Sequence, residues 1–177
     1  IDLIAQKHPE IVITHEPGGT PFGKKAREIL LSDSLASKRA ELLLFLADRA
    51  EHYQEVILPN RDRVVISDRG FLSGIGYALA NGDFDFDELV NLNRFALEGH
   101  FPDKIILFLT DMKTLEERTS AKSLDGIELR GLEYLLRVQE HMKQTILKQN
   151  IPHLFIDATQ DIETIHSQIT DYLRNTL

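Results

Sequence analysis

Val64-Val65-Ile66-Ser67-Asp68-Arg69-Gly70 joins a short β-branched run to an acid, a base and a glycine. A run of strand-favouring residues that stops at charge is how a buried strand leaves a sheet. Three more such runs lie at 11–14, 104–110 and 153–156, each followed by polar or turn-forming residues. Between them, apolar residues recur at helical spacing over 22–31, 38–58, 71–81, 85–99, 112–121, 131–150 and 161–175. The longest clear segment has Ser37 as its N-cap candidate and Pro59 near its end. Its Leu42-Leu43-Leu44-Phe45-Leu46-Ala47 stretch is apolar all round, which predicts a central, buried helix. Strands alternating with helices predict an α/β fold with a mainly parallel sheet, in one domain over residues 1–177. Ligands of such folds bind beyond the carboxyl ends of the strands.

Composition narrows the chemistry. The 177 residues are 42% hydrophobic and 27% charged, the profile of a globular domain. Cys is absent, which excludes disulfides, thiolate zinc sites and a cysteine nucleophile. No apolar run approaches the roughly 18 residues of a membrane-spanning helix. The net charge of −8, from 20 basic and 28 acidic residues, does not supply the basic face that duplex DNA requires. Neither nucleic acid nor a membrane is therefore an expected partner. A small anion remains possible, because a few arginines can dominate their own pocket.

The strand ends carry the candidate chemistry. The run at 11–14 leads into His15-Glu16-Pro17-Gly18-Gly19-Thr20, either a plain strand-to-helix turn or a carboxylate set at a binding crevice. Asp68 and Arg69 fit a metal–phosphate group, with the acid on Mg²⁺ and the base on phosphate, or an ordinary ion pair. Phe45 and Arg49 are one helical turn apart, so they make a base-recognition pair or a core ring beside a solvated cation. Arg27 is a third candidate cation. The polar segment 118–130 reads as a phosphate-covering lid or as an exposed connection. His8, His100, His141 and His166 lack metal-ligand spacing and read as surface or capping residues, and His52, one turn beyond Arg49, either touches the pocket or is a solvated helix position, the second being the better reading.

In this order the segments resemble the thymidylate kinases, P-loop enzymes that phosphorylate dTMP with ATP. The resemblance rests on Thr14 to Thr20, Leu44 to His52, Ser67-Asp68-Arg69 with Ser73 and Tyr77, Leu124-Asp125-Gly126-Ile127-Glu128, and Ile156-Asp157-Ala158. It implies a three-layer P-loop-type fold with a short lid at 118–130, and the pyrimidine deoxynucleotide branch of biosynthesis. It also implies a cytoplasmic homodimer with ATP as phosphoryl donor and Mg²⁺ as cofactor. By the same resemblance Phe45 stacks on thymine, Arg49 addresses its edge, and Arg27 and Arg69 hold the acceptor phosphate. Glu16, Pro17, Ser73, Gly74 and Tyr77 complete the substrate site. Asp68, Arg69 and Lys122 form the catalytic group, with Asp68 and Glu16 as metal ligands. Arg118, Ala158 and Thr159 border ATP.

Several positions depart from the family pattern. His15 stands for the usual Arg, Gly70 for an aromatic, Ala78 for a frequent Gln, and Gly126 for an Arg. Gly-x-x-x-x-Gly-Lys-Ser/Thr is not among the residues, and that loop and its central strand are expected before Ile1. The departures keep two alternatives in view. One is a kinase for another nucleoside monophosphate or a deoxynucleoside. The other is a non-catalytic nucleotide-binding protein.

Overall fold

The computed structural model describes residues 1–32, 35–119, 131–174 and 176. Helix α1 (Asp2–Lys7) leads into β1 (Val12–His15), α2 (Pro21–Leu31) and α3 (Lys38–His52). Then come β2 (Val65–Asp68), α4 (Phe71–Asn81), α5 (Phe86–Ala96) and β3 (Ile105–Leu109). Helices α6 (Met112–Thr119) and α7 (Leu132–Gln149), strand β4 (His153–Asp157) and α8 (Ile162–Leu173) complete the order. Local chemistry sets the boundaries. The side chains of Thr20, Ser37, Asp85 and Asp161 each accept an N–H in the first turn of the helix that follows, and Pro21 begins α2. The expected helix over 38–58 is α-helical only to His52; it continues as a π turn, Tyr53–Ile57, and a 3₁₀ turn, Leu58–Asn60, that contains Pro59.

The strands are parallel, as the alternation predicts, but they form two pairs rather than one ladder. β1 lies beside β2, with His15 opposite Asp68, and β3 lies beside β4, with Leu109 opposite Asp157. Alternation fixes strand direction; it does not fix which strands become neighbours. Helices cover both faces. Ile105, Leu107 and Leu109 pack into the cluster that includes Leu46, Ile75, Leu89 and Ile146, while Ile106, Leu154 and Ile156 pack with Ile4, Ile169 and Leu173. That period-two division makes the three layers of an α/β fold.

Helix α3 departs from the all-round burial its apolar stretch suggests. Leu43 is exposed and so is Ala47, whereas Asp48, Arg49 and His52 are buried. The helix turns a polar stripe inward, toward the strand tips.

Candidate active site

Separated segments of the chain meet in one cavity of about 260 Å³. The β1–α2 turn supplies Glu16 and Pro17, α2 supplies Arg27, and α3 supplies Phe45 and Arg49. The β2–α4 junction and α4 supply Arg69, Ser73, Gly74 and Tyr77. All nine residues expected to bind substrate line this cavity. Phe45 also packs against Leu30, Tyr77, Tyr134 and Val138, so it is a core residue that lines the cavity as well. Leu30, Leu31, Thr110, Leu115, Leu135 and Leu136 line it too, and the sequence reading missed them. Leucines at helical spacing carry no mark that separates a pocket wall from a core. Thr110, just past β3, is held by Gln139 of α7, which accepts its N–H at 2.8 Å and donates to its carbonyl at 3.1 Å.

Beneath the cavity lies a chain of buried hydrogen bonds. Arg49 donates from Nε to Glu16 Oε2 at 2.9 Å and from Nη1 to Asn93 Oδ1 at 2.8 Å. His52 Nδ1 meets Glu16 Oε1 at 2.9 Å, and His52 Nε2 meets Thr14 Oγ1 at 2.6 Å. Burial alone raises the Glu16 carboxyl, but the Arg49 guanidinium and the His52 ring outweigh it and hold Glu16 below its ordinary value. Glu16 is thus an acceptor-only carboxylate at neutral pH, so His52 Nδ1 must donate to it. His52 is fully buried rather than solvated; its partners come from 36 and 38 residues away, which helical spacing cannot reveal.

Asp48 behaves in the opposite way. Burial raises its carboxyl, only partly opposed by the Gly18 N–H that bonds Oδ1 at 3.1 Å, and the Glu16 charge raises it further. Its Oδ2 is buried without a hydrogen-bond partner among the described residues.

At the tip of β2, Asp68 is exposed and accepts the Glu16 N–H on its backbone carbonyl. Arg69 adopts φ +68°, a left-handed conformation that costs a non-glycine residue energy, and donates from Nη1 to the Tyr77 hydroxyl at 3.2 Å. The two expected metal ligands therefore differ. Both Glu16 oxygens are engaged by Arg49 and His52, so the Glu16 side chain does not fit a metal ligand. The exposed Asp68 carboxylate fits Mg²⁺, which commonly takes one or two carboxylates plus substrate phosphates. No group of three or more His, Cys, Asp or Glu side chains is gathered for a metal among the described residues.

At the other strand pair, Arg118 of α6 donates to the carbonyl of Ala158, just past β4. Thr159 donates its N–H and its hydroxyl to Asp157 Oδ1 at 2.9 and 2.7 Å, closing the turn and holding Asp157 below its ordinary value. The three residues expected to border ATP thus lie together. Lys122 falls outside the described residues, as does the lid expected at 118–130 apart from Arg118 and Thr119.

The family model described as thymidylate kinase matches residues 2–169. The chain belongs to the thymidylate kinase family. It is 76% identical over 174 residues to the thymidylate kinase of Sulfurovum sp. (strain NBC37-1), covering 98% of this chain and 91% of that one. It is 51% identical over 177 residues to the thymidylate kinase of Campylobacter curvus (strain 525.92), again covering 98% and 91%. The crystal structure of thymidylate kinase from Ehrlichia chaffeensis shares the fold, with a TM-score of 0.75 at 24% identity over 98% of this chain and 86% of that one. As a thymidylate kinase the chain is a nucleotide-binding transferase, and its reaction is phosphorylation of dTMP to dTDP with ATP as donor. Among the described residues, no helix is long and apolar enough to cross a membrane.

Proposed function

We propose that the cavity is the dTMP site, with Phe45 stacked on the thymine ring and Arg49 donating to its edge. Arg27 and Arg69 hold the acceptor phosphate, and Ser73, Gly74 and Tyr77 wall the sugar. The observation that carries this reading is the convergence of an aromatic ring and three guanidinium groups on one cavity in an acidic chain. A ring supplies stacking for any base, and arginines supply charge and directed donors for a planar edge and a phosphate.

Phosphoryl transfer asks for alignment and charge stabilisation more than for covalent help. No general base is needed, because the attacking oxygen belongs to a phosphate monoester already ionised near neutral pH. Arg69 and Arg27 fix that oxygen in the cavity, and Arg49 and Phe45 fix the other end of the same molecule. Arg118, Ala158 and Thr159 border ATP on the far strand pair. Asp68 holds Mg²⁺, which when bound neutralises charge on the donor phosphates. Lys122 is proposed as a further catalytic cation.

The test is isothermal titration with dTMP, thymidine and dCMP. Tight binding of dTMP that weakens in both others supports the assignment of phosphate and base ends; equal binding of all three refutes it. A homodimer in a cytoplasmic setting completes the proposal, and light scattering after gel filtration reads the dimer directly.

A further inference from the structure

We propose that Asn93, a residue that does not line the cavity, sets acceptor selectivity by fixing the plane of the Arg49 guanidinium. The inference rests on the reading that Arg49 addresses the base.

Arg49 is 2% exposed and carries five N–H donors in a rigid plane. Its Nε–H goes to Glu16 Oε2, on one edge of the fork, and Nη1 goes to Asn93 Oδ1, on the other. Nη2 has no hydrogen-bond partner among the described residues, and Arg49 lines the cavity. Glu16 alone would leave the plane able to turn about its bond to Nε. A second acceptor on the opposite edge removes that freedom. Gly74 of α4 lets the plane lie close to bare backbone, because a Cβ there would stand 3.3 Å from Nη1 and 3.5 Å from Nη2.

Asn93 is itself locked. It is fully buried on α5, on a face whose neighbours include Leu89, Val90 and Ala96. Its Nδ2 donates to the Leu89 carbonyl at 2.8 Å, one turn back. Turning the amide over would set N–H against N–H at Arg49 and oxygen against oxygen at Leu89, so Oδ1 must face the guanidinium. A buried amide without partners is costly, and among the described residues its one partner beyond its own helix is Arg49. Packing does not call for a polar side chain at this position; orienting Arg49 does.

The chemistry to be read is a carbonyl against an amino group. Thymine presents an oxygen acceptor at its 4-position, where cytosine presents an N–H₂ donor. A guanidinium held in one plane meets the first with a hydrogen bond and the second with two donors face to face. A guanidinium free to turn escapes that conflict and discriminates less.

The test compares kcat/KM for dTMP and dCMP in wild type, Asn93→Leu, Asn93→Ala and Asn93→Asp, with Arg49→Gln alongside. Both apolar variants should raise KM for dTMP about tenfold and lower the dTMP/dCMP ratio about tenfold, with kcat and KM for ATP within about twofold. Asn93→Asp keeps an acceptor for Nη1 but sets its second oxygen against the Leu89 carbonyl, so its thermal stability is read alongside, and in the folded variant the ratio should stay near wild type. An unchanged ratio in either apolar variant overturns the proposal, as does loss of the ratio in Asn93→Asp equal to that in the apolar variants. Loss of thermal stability alone, with the ratio intact, would show a merely structural role. If Arg49→Gln also leaves the ratio unchanged, the base-reading assignment of Arg49 has failed. If Arg49→Gln lowers it and the Asn93 variants do not, only the role of Asn93 has failed.

Discussion

Arg49 donates from Nε to Glu16 Oε2 across 2.9 Å, where the two side chains are 2% and 8% exposed. The pair ties the last turn of α3 to the strand-end turn that walls the same cavity. Removing one member of a buried ion pair leaves the other uncompensated, at a cost of about 3–5 kcal/mol. Glu16→Ala should therefore lose about that much stability in urea unfolding, because the buried Arg49 Nε and His52 Nδ1 both lose their acceptor. A loss under about 1 kcal/mol would show that the pair is dispensable.

Acid should weaken the fold through the same carboxylate. Glu16 sits below its ordinary value of 4.5 in the folded state, so the stability it contributes is present above that value. It is lost as pH falls from about 4.5 through the folded value. Unfolding midpoints measured between pH 7 and pH 3.5 should fall less steeply in Glu16→Gln than in wild type. Parallel profiles would contradict the assignment.

Asp48 shifts the other way, so its contribution opposes that of Glu16. A raised folded value gives stability present below the ordinary 3.8 and lost as pH rises through the folded value. Asp48→Asn keeps an acceptor for the Gly18 N–H and removes this opposing slope. Its stability should consequently drop more steeply on acidification than wild type does, and an equal or shallower drop would count against it.

Gly23 shows how tightly the turn is packed. A Cβ there would stand 2.2 Å from Asp48 Oδ1, on a buried side chain with little room to move. Ala at a helix position gains up to about 1 kcal/mol over Gly, but such overpacking costs about 1–3 kcal/mol. Gly23→Ala should lower Tm on balance. Gly70, extended at φ 167° with nothing within 4 Å of the added carbon, is the control, and Gly70→Ala should stay within about 0.5 kcal/mol.

Arg69 is placed for the acceptor phosphate, held in a strained conformation with its guanidinium against Tyr77. Arg69→Ala should lower kcat/KM for dTMP at least about tenfold while circular dichroism shows an intact fold. Unchanged kinetics would remove it from the site.

Much of this was legible in the chain. The β-branched runs match the four strands of the described residues to within a residue or two, and Ser37, Asp68-Arg69 and the Pro-Gly-Gly turn marked boundaries that the structure keeps. Phe45 and Arg49 share a face because of their spacing, and both line the cavity. The polar lattice beneath was not legible. His52 reads as a solvated helix position and nothing in the spacing marks Asp48 or Asn93, because their burial depends on partners 30 to 44 residues away. The family resemblance made Glu16 a metal ligand, and nothing in the sequence told a strand-tip carboxylate from a buried clamp. The pairing of strands into two ladders also depends on long-range contacts that alternation alone does not specify.

The most direct test is acceptor choice in the native enzyme, measured as ADP release with ATP and Mg²⁺ and expressed as kcat/KM for dTMP, dUMP, dCMP and thymidine. dTMP should lead, ahead of dUMP by about tenfold or more for the missing methyl and further ahead of dCMP and thymidine, which lose the matched edge and the phosphate. Equal or greater kcat/KM for any of the other three would contradict the assignment of this cavity to dTMP.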